Sequence, residues 1–194
     1  MSEHATVGVN CDIRPGATVG PEGQSGEPPV LGDDCTVRSG TVIYADVTVG
    51  DGLATGHGVL VREHTDIGDD CTVGTNTVID GHTVVGDRVS MQTGVYVPTH
   101  TDIADDVFLG PNAVLTNDPY PIRGENELEG PTLERHASVG ANATILPGVT
   151  VGERSFVAAG SVVIDDVPSG TLAVGVPAEH RPLPEHLDRG NVIR

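Results

Sequence analysis

The chain contains no lysine and no tryptophan, and only five of its 194 residues are aromatic. A core that depends on aromatic packing is therefore excluded. All ten basic residues are arginines, and they stand against 28 acidic residues, which gives a net charge of −18. Nucleic-acid binding is not expected, because it needs a basic surface. An acidic surface without lysine is expected of a protein that works in molar salt, where the Debye length is about 3 Å, or of one that binds cations or basic partners.

Long hydrophobic runs are also missing. No segment is long and apolar enough to cross a bilayer, and the N-terminus has no charged-then-apolar signal sequence. We therefore expect one domain in the cytoplasm, with no membrane partner. Cysteine is scarce, with only Cys11, Cys35 and Cys71. An odd number of cysteines without a signal sequence argues against disulfides, and we interpret the three as small packing residues.

A six-residue repeat is the main feature that is present. Aliphatic residues recur every six positions from Val7 to Val163 and fill 23 of the 27 positions in that register. Neither a helix nor an alternating strand has this period. A hexapeptide repeat is typical of a parallel β-helix, so the sequence predicts an all-β fold.

A second column of small residues stands four positions after the aliphatic one, as at Cys35, Thr41 and Ala143. One large and one small inward residue per hexad suits a thin, three-sided prism. Three hexads then form an 18-residue coil, and coils stack about 4.8 Å apart. We predict about nine coils in a β-helix domain over residues 1–164, and a C-terminal cap and tail over 165–194, where the repeat is lost.

Two segments interrupt the repeat. Residues 21–29 are rich in Gly, Pro and Glu, which predicts an irregular excursion. A longer segment precedes Leu133, where the register resumes three hexads after Leu115. We predict that it forms a projecting loop over 116–132 and replaces two faces of one coil. Loops that leave a rigid scaffold commonly carry function.

Histidines recur at one position of the 18-residue coil. The residues at this position are Asp46, His64, His82, His100, Asp118, His136 and Arg154. We expect them to form a ladder along one edge of the prism, with neighbours about 5 Å apart. Either the edge is simply polar, or His82, His100 and Asp118 line a cleft beside the loop. Histidine is a suitable proton acceptor at neutral pH.

A zinc site is the other use of a histidine cluster. The γ-class carbonic anhydrases share a β-helix and bind a metal between subunits. They place two histidines five apart, whereas here His57 is followed five residues later by Arg62. The outer members of the ladder also lie two coils apart. We therefore keep a carbonic anhydrase-like metalloenzyme as an alternative and expect no metal. A purely structural β-helix is a further alternative.

Three blocks of sequence resemble the hexapeptide-repeat acyltransferases. Residues 137–148 (ASVGANATILPG) and 159–178 (AGSVV, DVP and GVPA within it) are typical of the whole superfamily. Residues 105–121 (DDVFLGPNAVLTNDPYP) are most similar to the branch that acetylates amino groups on nucleotide-linked sugars. The resemblance implies a left-handed β-helix, a homotrimer and acetyl-CoA in a groove between two subunits.

The resemblance also implies site residues. For the pantetheine arm they are Ala141, Asn142, Ala159 and Gly160, and for the nucleotide end of acetyl-CoA they are Gly175, Pro177 and Arg181. Residues 131–194 carry a net charge of −2 against −16 for residues 1–130, so a polyphosphate is repelled least there. Asn117, Asp118 and Tyr120 are expected to border the sugar.

One departure concerns residues 92–94. Similar sugar-nucleotide enzymes have Gln-Asn-Gly or Gln-Asn-Asn here, and that Asn helps to hold the substrate, whereas this chain has Gln92, Thr93 and Gly94. We expect His82, Gln92, Thr93 and Tyr120 to bind substrate, and His100 to act as base with Asn117 and Asp118 orienting the acceptor. The predicted reaction is N-acetylation of a nucleotide-linked amino sugar. Acetylation of a sugar hydroxyl, as in the maltose and galactoside O-acetyltransferases with their His base, is the alternative.

Overall fold

The computed structural model describes residues 5–20, 25–124 and 127–193, and it contains strands and turns but no helix in these ranges. Within them, accordingly, no helix meets the length and hydropathy needed to span a membrane. Short parallel strands form the three faces of a prism, which is a left-handed parallel β-helix as the resemblance implied.

The first face holds eight strands: β1 Thr6–Val7, β4 Val30–Leu31, β7 Val47–Val49, β10 Thr65–Ile67, β13 Thr83–Val85, β16 Asp102–Ile103, β19 Thr132–Leu133 and β22 Thr150–Val151. The second face holds β2 Asp12–Ile13, β5 Thr36–Val37, β8 Ala54–Thr55, β11 Thr72–Val73, β14 Ser90–Met91, β17 Phe108–Leu109, β20 Ser138–Val139, β23 Phe156–Val157, β25 Thr171–Gly175 and β26 Ala178–Pro182. The third face holds β3 Thr18–Val19, β6 Val42–Ile43, β9 Leu60–Val61, β12 Val78–Ile79, β15 Tyr96–Val97, β18 Val114–Leu115, β21 Thr144–Ile145 and β24 Val162–Val163.

The register confirms the coil of three hexads, because Val73 pairs with Met91 and Ile79 pairs with Val97. We call the turn from the first to the second face the first edge, the turn from the second to the third face the second edge, and the turn into the next coil the third edge. The first coil is one hexad longer than a regular coil, since Thr6 pairs with Val30. The predicted excursion at 21–29 supplies the extra hexad, and its positions 21–24 lie outside the described residues.

About nine coils were predicted, and the prism has eight complete coils, with a ninth represented only by the Val151–Val167 bridge and by β25. The prediction that the long loop replaces two faces was wrong. The long loop replaces no face, because β18 and β19 both pair with their neighbours on each side. Asp102 instead pairs with Thr132, five hexads along the chain rather than three, so the loop is an insertion of two hexads at the third edge.

The core is one cluster of inward aliphatic side chains from all three faces, and the positions between them hold small residues or, as at Leu53 and Val89, further aliphatic ones. Leu109, Leu115 and Ile145 are fully buried, and the small column is buried beside them, as at Thr41 and Ala113. Both columns were predicted. Burial raises the pKa of the Cys35 and Cys71 thiols to about 11, so these two cysteines are held as protonated packing residues.

The predicted place of His136 in the histidine ladder was wrong. His136 lies on the first edge, where its backbone N–H donates to Asp105 O at 3.1 Å and its ring lies 3.8 Å from Asp106. The insertion is two whole hexads long, so it preserves the six-residue period. Every residue after it, however, lies two faces away from the position that counting in coils of 18 residues predicts. Arg154 lies on the first edge for the same reason, and its backbone N–H donates to Arg135 O.

Asp106 is the centre of an ionic cluster on the first edge. Its side chain is 9% exposed, and it accepts two hydrogen bonds from Arg88, at 2.7 and 3.1 Å, with Arg135 at 3.3 Å. Hydrogen bonding from Arg88 holds the pKa of Asp106 below its usual range. The C-terminal tail closes over this edge, since the Asn191 amide donates to Asp106 O and His136 O at 2.9 and 3.1 Å.

The chain ends in an antiparallel hairpin of β25 and β26, which continues the second face. Its Gly175 N–H donates to Ser161 Oγ at 3.1 Å, which fixes the hairpin to the last coil. The hairpin and the tail lie in the predicted cap over 165–194. The first residues of this range still pair with the last coil, as the Val151–Val167 bridge shows. The division into two domains at residue 164 remains a prediction.

The stacked core predicts a large cost for a cavity in its middle. Replacing Ile79, which is fully buried, with Ala is expected to lower the free energy of unfolding by about 2–5 kcal/mol. The matched control is Val84→Ala, because Val84 points outward and is 52% exposed, and it is expected to cost less than about 0.5 kcal/mol. Urea denaturation followed by circular dichroism measures both. Equal shifts in the two variants would contradict the inward register.

The Asp106 cluster predicts a pH-dependent contribution to stability. Because the folded-state pKa of Asp106 is lowered, its stabilisation is complete above its unfolded pKa near 3.8 and is lost as the pH falls through the folded value. Arg88→Ala is therefore expected to lower the urea midpoint at pH 5, and the difference from wild type should shrink toward pH 3. Arg14→Ala, whose pair with Asp12 is exposed on both sides, is expected to leave the midpoint unchanged. A difference that is constant with pH would exclude Asp106 as the cause.

Candidate functional site

The predicted histidine ladder is present along the third edge. The ring centroids of His64 and His82 are 4.6 Å apart, and those of His82 and His100 are 5.5 Å apart. Asp46 continues the edge below, and its backbone O accepts the His64 N–H at 2.8 Å. All four residues have φ between 46° and 62°, in the left-handed region that Asp, Asn and His tolerate better than other side chains. Backbone geometry therefore accounts for polar residues along the whole edge, and the loop distinguishes His100 from the rest.

The inserted loop is anchored at both ends beside His100. At its start, the Asn117 amide donates to Thr99 Oγ1 at 2.8 Å and to Thr99 O at 3.2 Å. At its end, the Glu129 N–H donates to Asn117 O at 2.9 Å, which closes the loop on itself. Gly130 then lies so close to His100 O that a Cβ there would be 2.4 Å from it. The backbone at Thr99 and His100 is thus held between the two ends of the loop, while the His100 side chain is exposed beside them.

A cleft of about 610 Å³ lies on the third face and third edge beside this anchor. We call it the loop cleft, and the residues that line it are Tyr96, Thr116, Asn117, Asp118, Pro119, Tyr120, Pro121, Leu146, Pro147 and Ile164. Its walls are mainly aromatic rings, prolines and aliphatic side chains. The polar groups come from the first residues of the loop, where Asp118 Oδ1 accepts the Tyr120 N–H at 2.9 Å. The structure thereby brings together the predicted residues Asn117, Asp118 and Tyr120.

A polar network supports the wall of the loop cleft. The Tyr96 hydroxyl donates to Asp80 Oδ2 at 3.0 Å, and Arg62 donates to Asp80 Oδ1 at 3.1 Å. Arg62 also makes two hydrogen bonds with Glu63, which lower the pKa of Glu63. Burial, and then the bond to Asp80, raise the pKa of Tyr96, so its hydroxyl stays protonated. Tyr96 is thus a fixed, neutral part of the cleft wall.

The residues predicted for the pantetheine arm lie together on the second edge. Gly160 N–H donates to Ala141 O at 2.9 Å, so the last two coils place Ala141, Asn142, Ala159 and Gly160 in one column. This column is open, because a Cβ added at Gly160 meets nothing within 4 Å. A narrow chain without bulky neighbours fits such a surface. Gly175, Pro177 and Arg181 are in the hairpin above, and Arg181 is 3.7 Å from Glu179.

Gln92 and Thr93 lie on the same second edge, two coils below. The Asn112 N–H donates to Thr93 O at 2.8 Å and the Asn142 N–H donates to Pro111 O at 2.9 Å, which makes the column continuous. The Gln92 amide donates to Ser90 Oγ at 3.0 Å. His82 and Tyr120 are on the third edge, across the whole width of the third face. Within one chain the structure does not bring the four predicted substrate-binding residues together.

Several residues of the loop cleft were not predicted, namely Tyr96, Leu146, Pro147 and Ile164. Tyr96 and Ile164 stand directly before and after an inward aliphatic residue of the third face, where a side chain points outward. Large apolar residues at outward positions are a signal that the sequence contained, because solvent-facing sheet positions are usually polar.

A second cleft of about 510 Å³ lies lower on the third edge, where Tyr44, Asp46, Arg62, Glu63 and His64 are among the lining residues. Its basic group is already bound on both sides, because Arg62 pairs with Glu63 at 2.6 Å and with Asp80 at 3.1 Å. Over residues 5–20, 25–124 and 127–193, no three His, Cys, Asp or Glu side chains are arranged to hold a metal ion.

Two family models match the chain. "Bacterial transferase hexapeptide (six repeats)" matches residues 130–165, which include the last two coils and the column on the second edge. "Hexapeptide repeat of succinyl-transferase" matches residues 23–45 and 65–98, which include His82 and Thr93.

Named proteins are similar over parts of the chain. A 2,3,4,5-tetrahydropyridine-2,6-dicarboxylate N-acetyltransferase of Clostridium perfringens is 53% identical over 47 residues, which are 24% of this chain and 20% of the relative. The chain thus matches about a fifth of the length of such relatives.

Two solved structures are similar over longer stretches. The hexapeptide-repeat acetyltransferase of Vibrio cholerae, in complex with acetyl-CoA, is 29% identical over 61% of this chain and 71% of that one, with a TM-score of 0.55. A maltose O-acetyltransferase of Clostridium difficile is 27% identical over 61% of this chain and 69% of that one, with a TM-score of 0.53. With the repeat, the three-sided prism and the family models, these similarities support the resemblance to the hexapeptide-repeat acyltransferase superfamily.

Proposed function

We propose that the protein transfers an acetyl group from acetyl-CoA to a small sugar-like acceptor in the loop cleft. The observation that carries this proposal is the cleft at the anchored loop, which has apolar walls and a few polar groups at one end and lies along the edge that also carries His100. Clefts of this composition are typical of small-molecule sites. The similarity to a solved structure in complex with acetyl-CoA supports the choice of donor.

The acceptor cleft and the column for the donor lie on opposite edges of the third face, so we propose that two chains complete each site. A homotrimer places the second edge of one subunit against the third edge of its neighbour. The outward side chains of the third face support such packing, because most are apolar and half-buried: Val42, Leu60, Val78, Tyr96, Val114 and Val162. The same outward positions on the first face include Thr48, Asp66 and Asp102.

In this reaction His100 accepts a proton from the amino or hydroxyl group of the acceptor. The acceptor nitrogen or oxygen then forms a bond to the thioester carbonyl carbon, the carbon–sulfur bond breaks, and the protonated His100 returns the proton to the leaving thiolate. Asn117 and Asp118 orient the acceptor, and holding the two reactants in line supplies much of the rate. Backbone N–H groups of the glycine-containing second edge are suited to stabilise the oxyanion.

Two acceptors are compatible with the cleft. The sequence block at 105–121 favours an amino sugar carried on a nucleotide, while the similarity to a maltose O-acetyltransferase favours a free sugar. Mass spectrometry of the products from both classes, with acetyl-CoA, decides between amide and ester formation. We also propose that the reaction takes place in a cytoplasm of high salt, on the strength of the net charge of −18 and the lack of lysine. The assays are therefore made in molar KCl as well as in dilute buffer.

The assignment of His100 predicts a specific kinetic defect. His100→Ala is expected to lower kcat by about 10²-fold or more, because general-base catalysis is lost. His64→Ala is the matched control, since His64 has the same backbone conformation and the same stacking but lies two coils below the loop. It is expected to keep its activity within about twofold. Acetyl-CoA should stabilise both variants against heat, because neither change touches the second edge.

An unchanged kcat in His100→Ala would assign the base to another group. Absence of any stabilisation of the wild-type protein by acetyl-CoA would contradict the proposed function as a whole.

A further inference from the structure

Among the residues that the structure describes, the lining of the loop cleft includes a single charged side chain, that of Asp118. Within the described residues Asp118 forms no ion pair, and its Oδ1 accepts only the Tyr120 backbone N–H. The two loop residues that the structure does not describe are an acidic and an amide residue, 125 and 126, so neither can supply a cation. Among the described parts of the chain, the carboxylate is therefore a negative charge without a cationic partner.

Positive charge is scarce throughout this region. Arg123 is the only lysine or arginine between Arg88 and Arg135 in the sequence, and it lies in the exposed part of the loop outside the cleft lining. Arg62 reaches Asp80 behind the cleft wall, but it is bound there and to Glu63. Glu129 adds another negative charge nearby, with its carboxylate about 3.1 Å from a Cβ built on Gly148.

A neighbouring subunit would not supply the missing charge. The second edge at the height of the cleft presents Thr93, Asn112, Ala141 and Asn142, all of them neutral. The arginines of that edge lie far below the cleft, namely Arg14 in the first coil, which pairs with Asp12 at 2.7 Å, and Arg38 in the second coil, whose guanidinium donates to Thr55 O at 2.7 Å. A diphosphate at the acceptor position would thus face carboxylates with no arginine to bind it, although phosphate sites normally contain such groups.

The apolar walls indicate the shape of the acceptor. Tyr96 is held in place by its bond to Asp80, and Tyr120, Pro119 and Leu146 complete a surface of flat and aliphatic groups. Such surfaces contact the C–H face of a sugar ring, and a carboxylate at the margin binds an ammonium group.

From this charge and shape we infer that the acceptor is an unphosphorylated amino sugar, bound as its ammonium form by Asp118. This inference rests on the proposed function and names its substrate class. It decides against the nucleotide-linked sugar that the sequence favoured. The ammonium group gives one proton to His100, the amine attacks the thioester carbon, and the second proton is lost after the carbon–sulfur bond breaks. The products are the N-acetyl sugar, coenzyme A as its thiol, and one proton released to solvent.

The test compares glucosamine, glucosamine 1-phosphate and UDP-glucosamine as acceptors for the full-length protein with acetyl-CoA. We expect kcat/KM to fall in that order, by about tenfold or more from first to last in 0.1 M salt. The difference in kcat/KM between glucosamine and UDP-glucosamine should narrow as the salt concentration is raised toward 1 M. At that concentration the Debye length is about 3 Å, so the repulsion between the carboxylate and the phosphates is screened. Asp118→Asn is expected to lower kcat/KM for glucosamine about tenfold and to leave that for UDP-glucosamine equal or higher. Glu127→Gln removes a charge from the exposed loop outside the cleft lining and should change neither.

Titration calorimetry with coenzyme A separates this inference from the proposed function. If coenzyme A binds, the donor assignment stands, and three results would each overturn the inference. They are that UDP-glucosamine is the best acceptor, that none of the three acceptors is acetylated, or that Asp118→Asn leaves the order of preference unchanged. If coenzyme A does not bind, the proposed function is itself overturned. Thermal melting of Asp118→Asn shows that the variant is folded before its kinetics are interpreted.

Discussion

Hydrogen bonds between the backbones of successive coils determine where every side chain of this protein lies. Each strand of the prism pairs in parallel with the strand one coil away, as the Gly74 N–H donating to Met91 O at 2.8 Å illustrates, and the pattern continues over eight coils. Because a regular coil always consists of three hexads, any side chain at a given position of one coil lies next to its counterpart in the following coil. The histidine ladder and the open column on the second edge both follow from this one constraint. Both bring together corresponding residues of different coils, which are 18 or more positions apart in the sequence.

The regular part of the fold could be predicted from the sequence, because each hexad repeats the same physical requirement for one large and one small inward residue. The stacking of His64, His82 and His100 followed directly from counting in eighteens. The count failed after residue 115, where an insertion of two hexads preserves the six-residue beat and yet moves His136 to another edge. A hexad count cannot detect a shift by whole hexads, whereas the strand pairing shows it at once.

The site was predictable only in part, for a related reason. Asn117, Asp118 and Tyr120 are close neighbours within a visible interruption, so their proximity followed from the chain itself. Tyr96, Leu146 and Ile164 join them from three other coils. The only sign of this in the sequence is that large apolar side chains stand at outward positions. Sequence motifs alone do not show that Gln92 and His82 lie on opposite sides of the third face. The sequence resemblance assigns residues of the second and third edges to one site. Within a single chain, however, these two edges are separated by the third face.

Charge is distributed unevenly along the chain. Residues 1–130 carry most of the negative charge, whereas the weakly charged residues 131–194 carry the hairpin with Arg181 and the residues predicted for the pantetheine arm. We propose that association of chains through the third face, whose outward side chains are mostly apolar, brings the loop cleft and the column on the second edge into one groove. In the proposed assembly, one subunit holds the acceptor and the next subunit holds the donor.

Subunit complementation tests this claim most directly. His100→Ala damages the third edge and Ala159→Trp blocks the second edge, so each variant alone is expected to be inactive in acetyl transfer. If two chains form each site, unfolding and refolding an equimolar mixture should restore activity in roughly a quarter of the sites, in which both intact edges meet. A mixture that stays as inactive as its components, although it assembles to the same oligomer as the wild type, would contradict a site shared between subunits.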